Sequence, residues 1–162
     1  IILGYGGISY LIGSKEHYNA AINIFMSNIT AGAIVQTLKL SARRSRPKNN
    51  EGAYSFCSNN AVSFTDNKYL SFVSGDATVA WATSTSIAQQ TDNIGVKIAL
   101  YSLATATSIG RSYHDSHWLS DAFLGSAIGY FSGKYINHKL SDISFMPLFS
   151  NDNYGFAVSY NF

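Results

Sequence analysis

Apolar residues recur at helical spacing through most of this chain. Ser14 can cap a helix beginning at Lys15, and Tyr18, Ile22, Phe25, Ile29, Ala33 and Leu38 trace an apolar stripe along it. Gly32 marks a point where that helix can bend. Pro47 predicts its end, because the residue before a proline is biased away from the helical region. Lys39 and Arg46 then fall in its last turns. Residues 48–72 turn to Asn, Ser, Gly and scattered aromatics without a sustained period, which predicts a long loop over the helix end. A second helix is expected from Ser74 or Gly75 to about Gln90, followed by a turn at Thr91-Asp92-Asn93. Residues 94–107 read as a third, Ala-rich helix, with Gly110 and Arg111 in the loop behind it. A fourth, from about Ser116 to His138, carries Trp118, Ala122, Leu124, Ile128, Phe131 and Tyr135, with Asp115 as its cap. Its small residues Gly125, Ser126, Ala127, Gly129 and Gly133 permit close helix packing.

The end of the chain has a different period. Phe156, Val158, Tyr160 and Phe162 alternate with Ala157, Ser159 and Asn161, as on a strand. A terminal Phe on an alternating aromatic strand resembles the closing strand of bacterial outer-membrane barrels, but one strand makes no barrel. The pattern therefore predicts an all-α protein: a helical bundle with a short extended C-terminal tail over residues 141–162, in a single domain spanning 1–162.

Composition narrows the setting. Charged residues are 12% of the chain, about half the usual quarter, while apolar residues at 46% are ordinary. A polar but weakly charged surface points to an exported bacterial protein of the periplasm or cell envelope, and the tail alone hints at the outer membrane. The net charge is +2, with Lys39, Arg43, Arg44, Arg46 and Lys48 bunched together. No aromatic stacking platform accompanies that run, so one phosphate explains it better than a nucleic acid. Cys57 is the only cysteine and can form no intrachain disulfide. The chain opens Ile1-Ile2-Leu3-Gly4 without a start methionine, which reads as a natural protein that extends further upstream. The longest apolar candidate, residues 20–38, is interrupted by Asn23, Asn28, Thr30 and Gln36, short of the roughly 18 to 20 uninterrupted apolar residues of a membrane span.

Three polar clusters stand out against this background: Lys39 with Arg46-Pro47, Ser74-Gly75-Asp76, and Arg111 followed by His117 and Asp121. Lys39 and Arg46 are seven apart, and at about 100° per residue they share a helix face, as do His117 and Asp121 four apart. The spacings K-x6-R-P and R-x5-H-x3-D, with Ser-Gly between them, resemble the tripartite signature of the type 2 phosphatidic acid phosphatase superfamily. That superfamily includes bacterial class A acid phosphatases and vanadium haloperoxidases, and its helical bundle is the fold the resemblance implies. Two positions depart from its pattern. Val73-Ser74-Gly75-Asp76 stands where Pro-Ser-Gly-His is usual, and Gly110-Arg111 where Ser-Arg is common.

The resemblance implies a metal-independent phosphatase without a cofactor, acting on lipid phosphates or other phosphomonoesters. Lys39, Arg46 and Arg111 would hold the phosphoryl oxygens, joined by Ser74 and the Gly75 N–H at a helix start. His117 would attack phosphorus to form a phosphohistidine, with Asp121 accepting a hydrogen bond from its other ring nitrogen. Vanadate and phosphate are the expected inhibitors. Asp76 takes the position of the family's leaving-group acid: either it carries that proton itself, or the change disables turnover and leaves a phosphate- or lipid-headgroup-binding protein. A vanadate-dependent haloperoxidase is the enzymatic rival. A mean hydropathy of +0.03 argues against the six-span integral form of many members and leaves association with a membrane surface open. Tyr113 and Trp118 flank the nucleophile and can shape a pocket, whereas His17, His114 and His138 receive no role.

Overall fold

The computed structural model of the protein describes residues 15–56, 66–141, 143–150 and 153–160. Four helices form the body: α1 (Lys15–Ala42), α2 (Gly75–Ala88), α3 (Ile94–Tyr113) and α4 (Leu119–Lys139). α1 runs unbroken through Gly32. α2 starts where Ser74 Oγ accepts from the Ala77 N–H, and α3 where Asn93 Oδ1 accepts from Gly95 and Val96. At the start of α4, Asp121 reaches back to the Trp118 N–H at 3.2 Å.

The predicted helices are present, but three ends differ in ways that matter for the site. α1 stops at Ala42 because Arg43 adopts φ 45°, so Arg46 follows in extended backbone and does not share a helix face with Lys39. α3 continues to Tyr113, which puts Arg111 in its last helical turn and not in a loop. α4 begins only at Leu119, capped by Trp118. Asp115, expected as the cap, instead takes φ 50° and its carbonyl accepts from the Lys48 N–H. His117 therefore precedes the helix that carries Asp121.

Small residues make the helix contacts. A Cβ added at Gly125 would lie 2.5 Å from the Ser74 carbonyl oxygen, and one at Gly133 2.8 Å from Thr85 Cβ. Gly129 is equally close to the Thr78 carbonyl, so the 125/129/133 series seats α4 directly on α2. Polar pairs fill the remaining space: Ser86 Oγ donates to Ser27 Oγ at 3.0 Å, and Asn28 Nδ2 to Thr83 Oγ1 at 3.0 Å. The large apolar side chains point the other way. Ile98, Leu103, Phe123 and Phe131 are 60%, 67%, 75% and 67% exposed, and the stripe residues Phe25, Ile29 and Tyr135 are exposed as well. The buried positions of α1 are instead Ala20, Ala21, Asn23, Ile24, Ser27, Ala31 and Val35.

That arrangement corrects the reading of α1. Asn23 is buried and Asn28 is bonded across to α2, so two of the four polar interruptions turn inward, Thr30 is half-buried and Gln36 stays exposed, while Phe25, Met26, Ile29 and Ile34 face outward. The helix is long and apolar enough to cross a membrane over Tyr18–Ala42, with a mean hydropathy of 1.3 in its best window.

The tail is extended, as its alternation predicts, but pairs with its own neighbour. β1 (Ile143–Ser150) and β2 (Asn153–Tyr160) form an antiparallel hairpin in the register Ile143↔Tyr160 to Ser150↔Asn153.

Candidate active site

The C-terminal ends of α1 and α3, the start of α2 and the residues before α4 meet at one end of the bundle. A cavity of about 550 Å³ opens there, lined by Lys39, Arg46, Gly75, Asp76, Arg111 and His117 among others. Six of the eight residues proposed from the motifs thus share one cavity. The other two, Ser74 and Asp121, lie fully buried behind it.

The segment after α1 is held by strand-like pairing with the far side of the loop. Arg46 N–H donates to the Lys68 carbonyl, Ser71 N–H to the Arg44 carbonyl and Ser45 N–H to the Ser55 carbonyl. Part of the expected covering loop, residues 57–65 with Cys57, lies outside the described residues.

The cations converge from three directions. Lys39 Nζ donates to the Leu70 carbonyl at 3.2 Å and lies beside Gly75, at the N-terminus of α2. Arg46 Nε donates to the Asn67 carbonyl at 2.8 Å and Nη1 to the Ser116 carbonyl at 3.3 Å. Burial and the facing Arg111 guanidinium press the Arg46 pKa downward. Arg111 Nε stands 2.8 Å from Asp76 Oδ2, but its N–H does not point at that oxygen and is left buried without an acceptor. The Asp76 side chain, 58% exposed, faces the cavity mouth. Three cationic side chains and a helix N-terminus around one cavity are an arrangement able to hold an anion.

His117 is buried at the cavity wall, with Nδ1 2.6 Å from the Ser71 carbonyl oxygen. A carbonyl only accepts, so the proton sits on Nδ1 and Nε2 keeps its lone pair. Burial, followed by the Lys39 and Arg46 charges, lowers the ring pKa to about 4, against the opposing pull of the Ser71 carbonyl. The ring is therefore neutral at physiological pH.

Asp121 does not do what its spacing suggested. Its carboxylate accepts from Arg44 Nη1 at 2.5 Å, Ser71 Oγ at 2.6 Å and the Trp118 N–H at 3.2 Å, and no bond joins it to the imidazole. The cause is the position of His117 ahead of α4, which directs Nδ1 to the 71 segment. Arg44 and Ser71 are the two participants that motif reasoning missed. Arg44 stood in the basic run, but nothing local marks which of its cations turns inward to a carboxylate 77 positions away.

The other aromatic and histidine candidates stand apart. Tyr113 is exposed, His114 caps α3, and Trp118 spends its indole N–H on the Ser45 carbonyl at 2.8 Å; none of these lines the cavity. Among the described residues no group of three or more His, Cys, Asp or Glu is placed to hold a metal ion.

No match was found among curated proteins or among solved structures. A protein-family model described as the PAP2 superfamily matches residues 20–143, an interval that contains all three polar clusters. With that match covering most of the sequence, the chain belongs to the PAP2 superfamily, whose members are generally phosphatases.

Proposed function

We propose that this protein is a metal-independent phosphatase that hydrolyses phosphomonoesters through a phosphohistidine. The observation that carries the reading is the convergence of Lys39, Arg46, Arg111, Gly75 and His117 on one cavity, with the Nδ1 proton of His117 fixed by a carbonyl. Phosphoryl transfer spreads charge over the equatorial oxygens, and the three cations with the α2 N-terminus supply the matching donors. His117 Nε2 forms the bond to phosphorus as the ester P–O bond breaks, and the departing alcohol takes a proton from Asp76. Water then attacks the phosphohistidine, the P–N bond breaks, and the water proton returns to the Asp76 carboxylate.

The substrate we favour is a lipid phosphate. The same cavity reaches down to Gly32, Val35, Val79 and Ala80, apolar or small residues one to two turns below the cations. The outer surface fits the same setting. Residues 18–38 of α1, 77–88 of α2, 98–109 of α3 and 122–133 of α4 carry no charge. The span of 21 residues in α1 rises about 30 Å, the thickness of a bilayer core. Lys97 and Lys134 stand toward the far end, where long side chains can reach an interface. Exposed large and buried small residues are the packing expected of helices in lipid. We therefore place the protein in a membrane of the bacterial envelope, with the cavity at one surface.

The Asp76–Arg111 pair favours a second reading, a phosphate- or headgroup-binding protein whose turnover is impaired, because the carboxylate stands 2.8 Å from a guanidinium that a phosphate would need. One experiment separates the two. Phosphate release from p-nitrophenyl phosphate and from phosphatidic acid is followed across pH with the whole chain in detergent or liposomes, together with trapping of an acid-labile phosphoryl group on His117. Turnover with a trapped phosphohistidine is expected; vanadate binding without either supports the binder. Loss of turnover with EDTA, restored by a divalent ion, would overturn the mechanism.

A further inference from the structure

The groups behind the cavity form a single connected array. His117 Nδ1 donates to the Ser71 carbonyl at 2.6 Å, Ser71 Oγ donates to Asp121 Oδ2 at 2.6 Å, and Asp121 Oδ1 accepts from Arg44 Nη1 at 2.5 Å. Arg44 is fixed in turn by the Ala53 carbonyl at 2.8 Å and Ser120 Oγ at 2.9 Å, and its guanidinium lies 5.6 and 5.4 Å from the ring centroids of Phe56 and Trp118. All four members of the array are buried.

We propose that Ser71 and Arg44 are positioning residues for the His117 nucleophile, and that Asp121 acts on the imidazole chiefly through Ser71; this rests on the phosphohistidine reading above. Ser71 is clamped at three points: its N–H on the Arg44 carbonyl, its Oγ on Asp121 and its carbonyl on the ring. The clamp fixes both the position of the carbonyl and, through it, the tautomer that leaves Nε2 free. When Nε2 bonds to phosphorus the ring becomes cationic, the Nδ1 proton stays in place, and the Ser71 carbonyl is the group that meets the new charge. The negative charge of Asp121 is already paired with Arg44, whose role is to let a buried carboxylate hold Ser71.

The array makes two tests possible with the full chain in detergent micelles. In the first, Ser71→Ala keeps the carbonyl but releases it from Asp121. It should lower kcat about ten- to hundredfold, by analogy with the loss of groups that orient metal-bound imidazoles, with little change in KM. The ¹⁵N spectrum of His117 should gain the Nε2–H tautomer, and Ser71→Thr should restore both kcat and the tautomer. In the second, Arg44→Gln should cost as much or more, while Arg44→Gln with Asp121→Asn removes both charges but keeps an acceptor for Ser71 Oγ. That double variant should recover kcat and the Nδ1–H tautomer to within about threefold of the parent, measured against Arg44→Gln alone. Wild-type kcat and tautomer in Ser71→Ala would overturn the proposal. So would a double variant as impaired as Asp121→Asn alone, since that would mean the carboxylate charge acts on the ring directly. The tautomer is read without turnover: if the parent chain releases no phosphate but the tautomer shifts as described, the positioning inference stands and the phosphatase reading falls.

Discussion

The neutral state of His117 makes the protein lose stability in acid. Burial and the nearby Lys39 and Arg46 hold its pKa at about 4, against the ordinary 6.5 it has in the unfolded chain. Between these values the unfolded state binds a proton that the folded state refuses, so stability is complete above pH 6.5 and falls as pH drops toward 4. The slope is about 1.4 kcal/mol per pH unit, and the full loss is about 3 kcal/mol, about a fifth to three fifths of a typical domain's stability. His117→Gln removes the titrating ring while leaving a polar side chain at the site. The assay is denaturant unfolding of both forms across pH 4–8, with the imidazole of the parent followed by NMR in the same range. The stability advantage of the parent over the variant should shrink steadily below pH 6.5, and the ring should titrate near 4. The acid limb of kcat/KM attributable to the nucleophile should sit at the same place, because only the neutral ring attacks phosphorus. A titration midpoint near 6.5, or identical pH slopes in the two proteins, would refute the assigned burial and charge environment. Phosphate or vanadate in the cavity should raise the midpoint, since an anion offsets the two cations.

The remaining predictions address chemistry and packing. His117→Ala should abolish turnover while preserving the circular dichroism of the helices. Asp76→His should raise the rate about 10² to 10⁴-fold for esters with poor leaving groups and far less for p-nitrophenyl phosphate, because only the former need a proton donor; equal gains with both would argue against that role. Arg46→Lys and Arg111→Lys should each weaken vanadate inhibition measurably, since a point charge cannot grip two oxygens. Gly129→Ala should destabilise the protein by about 1 to 3 kcal/mol in thermal unfolding, because its Cβ would meet the backbone of α2 and not a flexible side chain.

The site was legible where chemistry demands a residue type at a fixed spacing. Lys39, Arg46, Gly75, Asp76, Arg111 and His117 were all named from three short motifs, and they line one cavity. Two of those spacings do not reflect a shared helix face. Arg46 and His117 reach the site from non-helical backbone, after a left-handed Arg43 and Asp115 respectively. A left-handed Arg43 leaves little local trace, and Asp115, a residue type that does enter that region, equally suits the cap of a helix starting at Ser116. The Arg44–Asp121 and Ser71–His117 contacts were not legible at all, because partners 77 and 46 positions apart leave no periodic signal.

The hydrophobic pattern was legible in period but not in sense. Large apolar stripes such as Phe25 and Ile29, or Phe131 and Tyr135, are usually the inner face of a helix in water. Here they point outward, and Gly125, Gly129, Gly133, Ala77, Ala82 and Ser86 form the contacts. Close helix approach accounts for this: dispersion and short polar bonds grow as backbones come together, and only small side chains allow it. The overall hydropathy of +0.03 conceals the result by averaging two populations. Ser27, Ser86, Asn23 and Thr85 lower the mean although they lie inside, where they do not set the character of the surface. The charge-free stretches 18–38, 77–88, 98–109 and 122–133 give the outer surface an apolar character, interrupted at the end where Lys39, Arg46 and Arg111 gather. Under the proposed function, a lipid phosphate would reach those cations by travelling along that surface.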